Sequence, residues 1–427
     1  MHELFDKLKR FNFWDGNVPK LGFERTDYLQ KVDGFVNNQL IKVIVGQRRT
    51  GKSYMLRQIA NRLLKNGTHP RNIFYINKEY LAFDFIKNYK DLDTLIQVYQ
   101  EKMQPEGRFY LFIDEVQNVV GWEKLVNSYA QDFSNTCEIF ISGSNSKMLS
   151  GELATLLSGR YISFEIFPFS YQEYIDFYGL EPSKPTYLTY LQTGGLPELF
   201  ALPNEETKRQ YVSSVKDTVL LRDIIQKNAI KDPKLLEDVF VYLVNNASNL
   251  LSVNNITNYM KSKGRKTSFD TISNYVGFIE DTFLVHKAHR YDIKEKDTVA
   301  GNAKYYANDL AYKNYLYSGF GYGMGYLLEN LVYLCLCRAD FEVYVGVLPD
   351  KEIDFVAKKA DTVLYVQCAY SLQEESTLER EFSALEAVPD HYTKLVVSMD
   401  DFILPSRNGI LHTQAWQLEA FLKQILP

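Results

Sequence analysis

The chain has 427 residues, which is too long for a single hydrophobic core and predicts two or three domains. Its formal net charge of −5 excludes a protein that coats nucleic acid non-specifically, so any contact with nucleic acid has to be local. Aromatic residues make up 14% of the chain, a fraction that excludes extensive disorder and predicts well-filled cores.

The first part of the chain combines a helical beginning with alternating strands and helices. Residues 1–40 predict a preamble of short helices, and residues 41–167 predict an ATPase core. In this core, short apolar strands alternate with helices, which is typical of a parallel sheet covered on both faces. The predicted strands span 41–45, 72–76, 109–113, 138–141 and 161–166, and the predicted helices span 52–64, 92–103 and 122–133.

A glycine-rich loop follows the first predicted strand. Residues 46–53 read Gly-Gln-Arg-Arg-Thr-Gly-Lys-Ser and match the pattern GxxxxGK[ST]. In such a loop, backbone N–H groups hold the phosphates, the lysine reaches the β and γ oxygens, and the hydroxyl binds Mg²⁺. The strand before the loop and the helix after it favour this interpretation over an incidental turn. The predicted nucleotide-binding residues are Gly46, Gln47, Arg48, Arg49, Thr50, Gly51, Lys52, Ser53 and Tyr54.

Two acidic residues, Asp114 and Glu115, follow the third predicted strand. An apolar strand that ends in Asp-Glu is the form of a Walker B element. In that element Asp114 would hold Mg²⁺ together with Ser53, and Glu115 would polarise the attacking water. Two acids after an apolar strand are common and by themselves a weak signal. They indicate a Walker B element more strongly when the same chain also contains a phosphate loop. One strand, 72–76, lies between the two motifs, and this order predicts an NTPase whose base is built in.

Three further residues are candidates for contact with the γ-phosphate. Ser144 and Asn145 follow the fourth predicted strand. If that strand lies beside the first, one of them would orient the attacking water; an ordinary polar turn is the alternative. Arg160 precedes the fifth strand and would stabilise γ-phosphate charge, commonly in the site of a neighbouring subunit. A solvated structural arginine is the alternative.

These motifs resemble those of a family of bacterial and archaeal AAA+-superfamily ATPases, in which a second domain follows the ATPase module. The resemblance extends over nearly the whole chain, and the run Asp-Glu-Val-Gln-Asn at 114–118 is its most specific part. It implies an AAA+-type architecture with ATP as the nucleotide. The matching runs are 46–53, 113–123, 142–150, 159–160, 167–170, 194–198, 221–224, 305–309 and 351–356.

The pattern becomes helical after the sheet. Residues 168–245 predict a helical lid, interrupted by a turn at 193–197. Residues 246–300 predict a winged-helix-like segment with two helices. The stretch 296–320 is polar and predicts a loop. The two helices of the winged-helix-like segment span 252–261 and 267–281, and the strands of its wing span 284–286 and 289–291.

The turn between these two helices is basic. Lys263, Arg265 and Lys266 would contact DNA phosphates if the second helix entered the major groove. Packing of the segment against the ATPase core or against a partner is the alternative. The acidic chain as a whole offers no broad basic surface.

Residues 301–427 return to an α/β pattern and predict a nuclease-like domain. Glu329 on a helix and Asp354 on a strand follow the order of a restriction-endonuclease-like metal site. Such a site requires Glu-x-Lys on the next strand, where this chain has Gln367 followed by Cys368 and Ala369. The lysine is absent and an amide replaces a carboxylate, so the domain is predicted to be degenerate and kept for binding or packing.

The fold expected for the whole chain is therefore α/β, an AAA+-like P-loop sheet with a helical lid, a winged-helix segment and a restriction-endonuclease-like domain. The leading hypothesis is an ATPase, with ATP and Mg²⁺ as cofactors, that couples nucleotide state to a conformational change of domains or of a protein partner. A homo-oligomer is a further expectation. The alternatives are an ATP-switched DNA-binding regulator and an ATP-gated nuclease.

The remaining features concern the compartment. No uncharged run reaches the ~20 residues that a membrane helix needs, and the N-terminus lacks an apolar signal segment. None of the four cysteines forms a CxxC pair, so buried thiols are expected rather than a disulfide or metal site. Both observations predict a cytoplasmic protein without membrane contact.

Overall fold

The computed structural model describes residues 2–132, 136–146, 155, 157, 159–317 and 323–425. The chain divides into two units, Met1–Ile166 and Phe167–Pro427. Several predicted segments end outside the described residues: the helix 122–133, the matching run 142–150 and the stretch 296–320.

The first unit contains a parallel sheet of five strands. These are β1 (Ile41–Val45), β2 (Ile73–Asn77), β3 (Phe109–Asp114), β4 (Cys137–Gly143) and β5 (Tyr161–Glu165). Their order is β2-β3-β4-β1-β5, and all neighbouring strands are parallel. Every residue of β1, β2 and β3 is buried, which explains why their sequences are largely apolar, with Lys42, Asn77 and Asp114 as the exceptions. Because β4 lies between β1 and β3, the loops after these three strands meet at one edge of the sheet.

Helices pack around this sheet, and the preamble closes one of its edges. Asn12 exchanges two hydrogen bonds with the backbone of Tyr75, at 2.6 and 3.0 Å, and Trp14 Nε1 donates to the carbonyl of Ile73 at 2.8 Å. These contacts cover backbone groups of the edge strand β2 that would otherwise be exposed. The helices of the unit are α1 (His2–Phe11), α2 (Thr26–Asp33), α3 (Lys52–Lys65), α4 (Tyr89–Met103) and α5 (Trp122–Gln131).

The second unit begins with helices, as predicted for residues 168–245. Capping boxes at Ser170 and Ser183 start the first two of them. The third continues into a π-helix, Val219–Ile225, and ends in the single turn Gln226–Asn228. The helices are α6 (Tyr171–Tyr178), α7 (Lys184–Thr193), α8 (Glu205–Thr218) and α9 (Pro233–Asn245).

A mixed sheet of eight strands organises the rest of the second unit. Its strands are β6 (Leu250–Leu251), β7 (Val285–Asp292), β8 (Asp297–Ala307), β9 (Glu342–Val347), β10 (Glu352–Lys359), β11 (Thr362–Ala369), β12 (Thr393–Ser398) and β13 (Ile410–Gln414). They follow the order β13-β12-β11-β10-β9-β7-β8-β6. The accompanying helices are α10 (Val253–Ser262), α11 (Phe269–Asp281), α12 (Met324–Arg338), α13 (Glu375–Glu386) and α14 (Leu418–Ile425).

Two sequence predictions for this unit were wrong in detail. Much of the stretch predicted as a loop at 296–320 is regular structure, because β8 occupies Asp297–Ala307 and pairs with β7, and a π-helical turn occupies Tyr312–Leu316. The first half of β8 is polar and mostly exposed, so it lacks the apolar pattern of a buried strand. Its position is fixed by backbone pairing with β7, and the boundary predicted at residue 300 therefore falls inside a strand. The two wing strands predicted at 284–286 and 289–291 are one continuous strand, β7.

Within the part of the chain that the structure describes, no helix combines the length and apolar character needed to cross a bilayer. All four cysteines are free thiols, and Cys335 is buried.

Candidate functional site

The glycine-rich loop 46–53 connects β1 to α3, as the sequence predicted. Gly46 has φ 141°, and a Cβ at this position would lie 2.3 Å from the carbonyl oxygen of Ile166. Gly51 has φ 99° and is the residue immediately before α3. Both positions therefore require glycine, one because of close approach and both because of backbone conformation. The loop brings the N-terminal end of α3 to the edge of the sheet, where its backbone N–H groups and the helix dipole favour an anion.

Two side chains of the loop fold back onto its own backbone. The ammonium of Lys52 and the hydroxyl of Thr50 each donate a hydrogen bond to the carbonyl of Gln47, both at 2.9 Å. All three residues are buried. Arg48 forms an ion pair with Glu79 at 2.7 Å. The loop is thus a closed turn that holds the lysine at its centre.

The preamble also contacts this loop, and no local pattern in the sequence predicts that contact. Arg25 is buried, and its Nη1 donates to the carbonyl of Thr50 at 3.2 Å. Its backbone N–H donates to Gln58 Oε1 on α3, at 3.2 Å. Gln58 Nε2 in turn donates to the carbonyls of Leu21 and Phe23, at 2.8 and 2.6 Å. Residues 21–25 are therefore fastened across the helix that follows the loop.

Asp114 ends β3 and is fully buried. Its Oδ1 accepts a hydrogen bond from the hydroxyl of Ser142, and its Oδ2 accepts from Asn77 Nδ2 at 2.6 Å and from the Tyr75 hydroxyl at 3.0 Å. All three donors are neutral side chains. A carboxylate offers about four acceptor positions, so one remains for a water or a ligand. Two of the donors, Asn77 and Ser142, lie near the carboxyl ends of the strands on either side of β3, where polar residues are a signal that could have been used at the level of the sequence.

Glu115 follows Asp114 in a left-handed conformation, with φ 55°. Its backbone N–H donates to Ser142 Oγ at 3.0 Å. Its Oε2 accepts from Gln117 Nε2 at 2.5 Å and from the Ser144 hydroxyl at 3.5 Å. Burial raises the pKa of Glu115, and attraction to the Lys52 ammonium opposes this rise. Glu115 and Ser144 therefore lie together beside the loop's lysine.

Three predicted site residues remain: Asn145, Tyr54 and Arg160. Asn145 lies in the turn after β4, next to Ser144, and Tyr54 lies on α3 with the guanidinium of Arg57 4.3 Å from its ring centroid. Arg160 is not brought to this site, because its carbonyl accepts from Ile41 N–H at 2.9 Å. Ile41 is the first residue of β1, whereas the loop follows the last, roughly 13–16 Å further along the strand. Within its own chain Arg160 therefore lies at the amino-terminal end of β1, whereas the loop lies at its carboxyl end.

The structure brings the predicted nuclease-like residues together in the second unit. Asp354 N–H donates to Gln367 Oε1 at 2.6 Å. The ammonium of Lys304, from β8, lies 3.0 Å from Glu329 and 3.8 Å from Asp354. Gln367 Nε2 donates to Glu381 on α13 at 2.6 Å. Lys304 and Glu381 are not among the residues predicted from the sequence, because the stretch 296–320 predicts a loop and neither residue lies in a local motif.

This cluster borders a cavity of about 670 Å³, and Lys304 is the cation that faces Glu329, Glu352 and Asp354 there. Burial raises the pKa of Asp354 to about 8, with repulsion from Glu329 adding to the effect. Burial tends to lower the pKa of Lys304, but the attraction of Glu329, Asp354 and Glu352 outweighs it and raises that pKa overall. Among the described residues, no group of three or more His, Cys, Asp or Glu is arranged to hold a metal ion.

The basic turn of the winged-helix-like segment is only partly available for a ligand. Arg265 Nε donates to Asp238 on α9 at 2.7 Å, and the two side chains form an ion pair. Lys263 and Lys266 are exposed, and the ammonium of Lys263 lies 5.5 Å from the centroid of the Tyr259 ring. Of the three predicted DNA contacts, Arg265 thus stabilises the packing of its own unit.

The chain is similar to known domain families and to two known proteins. Residues 38–175 match the family described as AAA domain, and residues 184–321 match a domain of unknown function. An uncharacterised protein of Haemophilus influenzae is 36% identical over 409 residues, which cover 94% of this chain and 100% of that protein. The uncharacterised protein MJ1544 of Methanocaldococcus jannaschii is 31% identical over 361 residues, covering 81% of this chain and 78% of the relative.

Solved structures resemble the chain at lower similarity. The Aeropyrum pernix ORC1 protein in complex with DNA has a TM-score of 0.34 and 13% identity, covering 73% of this chain and 96% of that one. The Thermotoga maritima RuvB Holliday junction branch migration motor has a TM-score of 0.32 and 14% identity, covering 62% of this chain and 88% of that one.

Proposed function

The chain belongs to the AAA-domain family that includes its Haemophilus influenzae and Methanocaldococcus jannaschii relatives, and from this premise we propose that its first unit binds and hydrolyses ATP. One observation carries the proposal. Strand order places the loop after β1, the acidic pair after β3 and Ser144 after β4 at one edge of the sheet. A phosphate-binding group, a carboxylate base and a polar orienting group are the parts that phosphoryl transfer to water requires.

In this proposal each residue has one task. The N–H groups of the loop and the ammonium of Lys52 bind the β and γ phosphates. Glu115 accepts a proton from the attacking water, and Ser144 or Asn145 orients that water towards the γ-phosphate.

Mg²⁺ fits the oxygen groups at this edge. Asp114 offers a carboxylate with an acceptor position to spare, and Ser53 at the start of α3 adds a hydroxyl. Hard cations of this kind prefer such oxygen ligands and keep several waters. When bound, the ion would neutralise charge on the phosphates; Ser53 would hold it directly and Asp114 through its waters.

Two substitutions test the ATPase assignment. Lys52→Ala should weaken binding of a fluorescent ATP analogue at least about tenfold, because it removes the cation that faces the phosphates. Glu115→Gln should leave binding within about threefold and lower the hydrolysis rate at least about 100-fold. Lys65→Ala and Glu101→Gln, at exposed positions of α3 and α4, are the matched controls. Hydrolysis unchanged in Glu115→Gln would refute the assignment of the base.

We further propose that the nucleotide state changes the arrangement of domains or of a protein partner, including other copies of the chain. A ligand shifts a conformational equilibrium only by its difference in affinity for the two states. Arg160 would take part only from a neighbouring subunit, because it lies far from the site of its own chain. Light scattering with and without the ATP analogue tests this: a monomer in both conditions would remove Arg160 from the mechanism.

DNA binding by the second unit is the second candidate. The order α9, β6, α10, α11, β7, β8, with β8 between β6 and β7, is that of a winged helix, and Lys263 and Lys266 are exposed beside α11. Duplex binding that weakens with salt, and weakens further in Lys263→Ala/Lys266→Ala, would support it. The matched control is Lys65→Ala/Lys90→Ala, which removes two exposed lysines of the first unit.

A further inference from the structure

Gln117 lies between Glu115 and Ser144 and uses only half of its amide group. Its Nε2 donates to Glu115 Oε2 at 2.5 Å and lies 3.5 Å from Ser144 Oγ. Its Oε1 is buried and accepts no hydrogen bond from any residue that the structure describes. Buried amide oxygens in folded proteins normally have a partner, so an orphan acceptor beside a candidate active site indicates a ligand that completes it.

The orientation of this amide is fixed by its neighbour. Rotation of the amide by half a turn would place Oε1, an acceptor, against the carboxylate of Glu115, which is also an acceptor. The N–H groups must therefore face Glu115, and Oε1 must face away from it.

The backbone of this segment is fixed as well. Residues Val116–Asn118 form a single 3-10 turn, in which Asn118 N–H donates to the Glu115 carbonyl at 3.1 Å. Val116 is fully buried and anchors the turn in the core. Gln117 thus extends from a rigid turn rather than from a free loop, and its side chain reaches Glu115 from a defined direction.

We propose that Gln117 is a further catalytic residue, which orients the attacking water together with Glu115; this inference rests on the proposed ATPase activity. One O–H of the water donates to Glu115, which takes that proton, and the other O–H donates to Gln117 Oε1. The water's lone pair then forms the new bond to the γ-phosphorus as the bond to the ADP oxygen breaks. The Nε2–H groups of Gln117 meanwhile hold the Glu115 carboxylate in place.

The test is Gln117→Leu, which keeps most of the volume and removes both amide functions. The expected turnover number falls about 100-fold, in line with the loss of one oriented dipole from an active site. Affinity for a fluorescent ATP analogue should stay within about threefold, because Gln117 contacts water rather than nucleotide. The unfolding temperature should fall only slightly, because the substitution removes the hydrogen bond from Nε2 to Glu115 but no hydrogen bond at Oε1. Asn118→Leu, exposed in the same turn, is the matched control and should hydrolyse ATP normally.

A second comparison separates catalysis from a structural effect. In a Glu115→Gln background, adding Gln117→Leu should change the residual single-turnover rate less than about threefold, because no base remains to be assisted. Should Gln117→Leu fail to fold, Gln117→Met tests the same point: it keeps the length of the side chain and removes both amide functions, and turnover should fall with affinity unchanged.

The outcomes distinguish the two levels of the proposal. Turnover by Gln117→Leu within about threefold of the wild type, while Glu115→Gln is inactive, would overturn the role of Gln117 alone. Equal rates for the wild type and Glu115→Gln would instead overturn the ATPase assignment itself. Equal losses of affinity and turnover in Gln117→Leu would indicate a structural role and also contradict the inference.

Discussion

At the scale of single residues, Lys42 shows how the first unit accommodates buried charge. Its side chain lies within β1 and forms an ion pair with Glu138 of β4, and both side chains are 0% exposed. Its ammonium also donates to Asn38 Oδ1 at 2.9 Å, and Arg108 approaches Glu138 at 3.2 Å. Burial lowers the pKa of Lys42, because attraction to Glu138 only partly offsets the lost hydration. Removal of either partner would therefore leave the other as a buried charge without its main partner, although burying the pair itself costs desolvation.

Lys42→Met should lower the free energy of unfolding by about 3–5 kcal/mol, because Glu138 then keeps a buried charge without its main partner. Adding Glu138→Gln should recover part of this loss, since the amide is neutral and still accepts from Asn37 N–H. Denaturant unfolding monitored by tryptophan fluorescence measures both. Lys65→Met, at an exposed position, is the control and should be nearly neutral. Additive losses in the double variant would contradict the argument.

At the scale of elements, a sequence predicts best what is local and periodic. The loop 46–53 was found because Gly46, Gly51 and Lys52 stand at fixed spacings between an apolar strand and a helix. The sequence did not predict β8, because half of the strand is polar and its position depends on backbone pairing with β7 rather than on an apolar pattern. Contacts across elements, such as that of Arg25 with the loop, leave no local pattern in one sequence.

The cluster around Lys304 is a contact of this second kind, joining β8, α12 and β10. Its ammonium lies 3.0 Å from Glu329 and 2.9 Å from Glu352, and the Tyr306 hydroxyl donates to Glu329 at 2.9 Å. Asp354 lies where the register of β10 against β9 shifts, so a bulge directs it towards the cluster. Lys304 therefore supplies from β8 the positive charge that the sequence around Gln367 lacks.

Lys304→Met should destabilise the second unit by about 3–5 kcal/mol, because it leaves Glu329 buried beside other carboxylates with no cation. The measurement is denaturant unfolding of the full chain, followed by hydrogen exchange of β8, β10 and α12. Lys294→Met, in the exposed turn between β7 and β8, is the matched control. A loss no larger than that of the control would show that the cluster does not depend on Lys304.

At the scale of the whole molecule, the candidate ATP site and the other predicted functional parts lie in different units of the chain. The first unit holds the candidate ATP site within Met1–Ile166, and the second, Phe167–Pro427, holds the winged-helix-like and nuclease-like parts. Turnover at the first site has an effect on the second unit only if the ATP-bound and ADP-bound states differ in free energy of interaction. The coupling proposed above therefore predicts a difference between nucleotides, and binding alone is not enough.

Hydrogen exchange on the full chain tests this coupling. A non-hydrolysable ATP analogue at about 100 times its Kd should stabilise the first unit by about 2.7 kcal/mol, which slows exchange through its global opening about 100-fold. Exchange should also slow in residues 46–53 of the loop. Coupling predicts in addition that peptides from 167–317 exchange at different rates with the analogue and with ADP. Lys52→Ala should abolish both effects, and equal rates for the two nucleotides would refute coupling while leaving ATP binding intact.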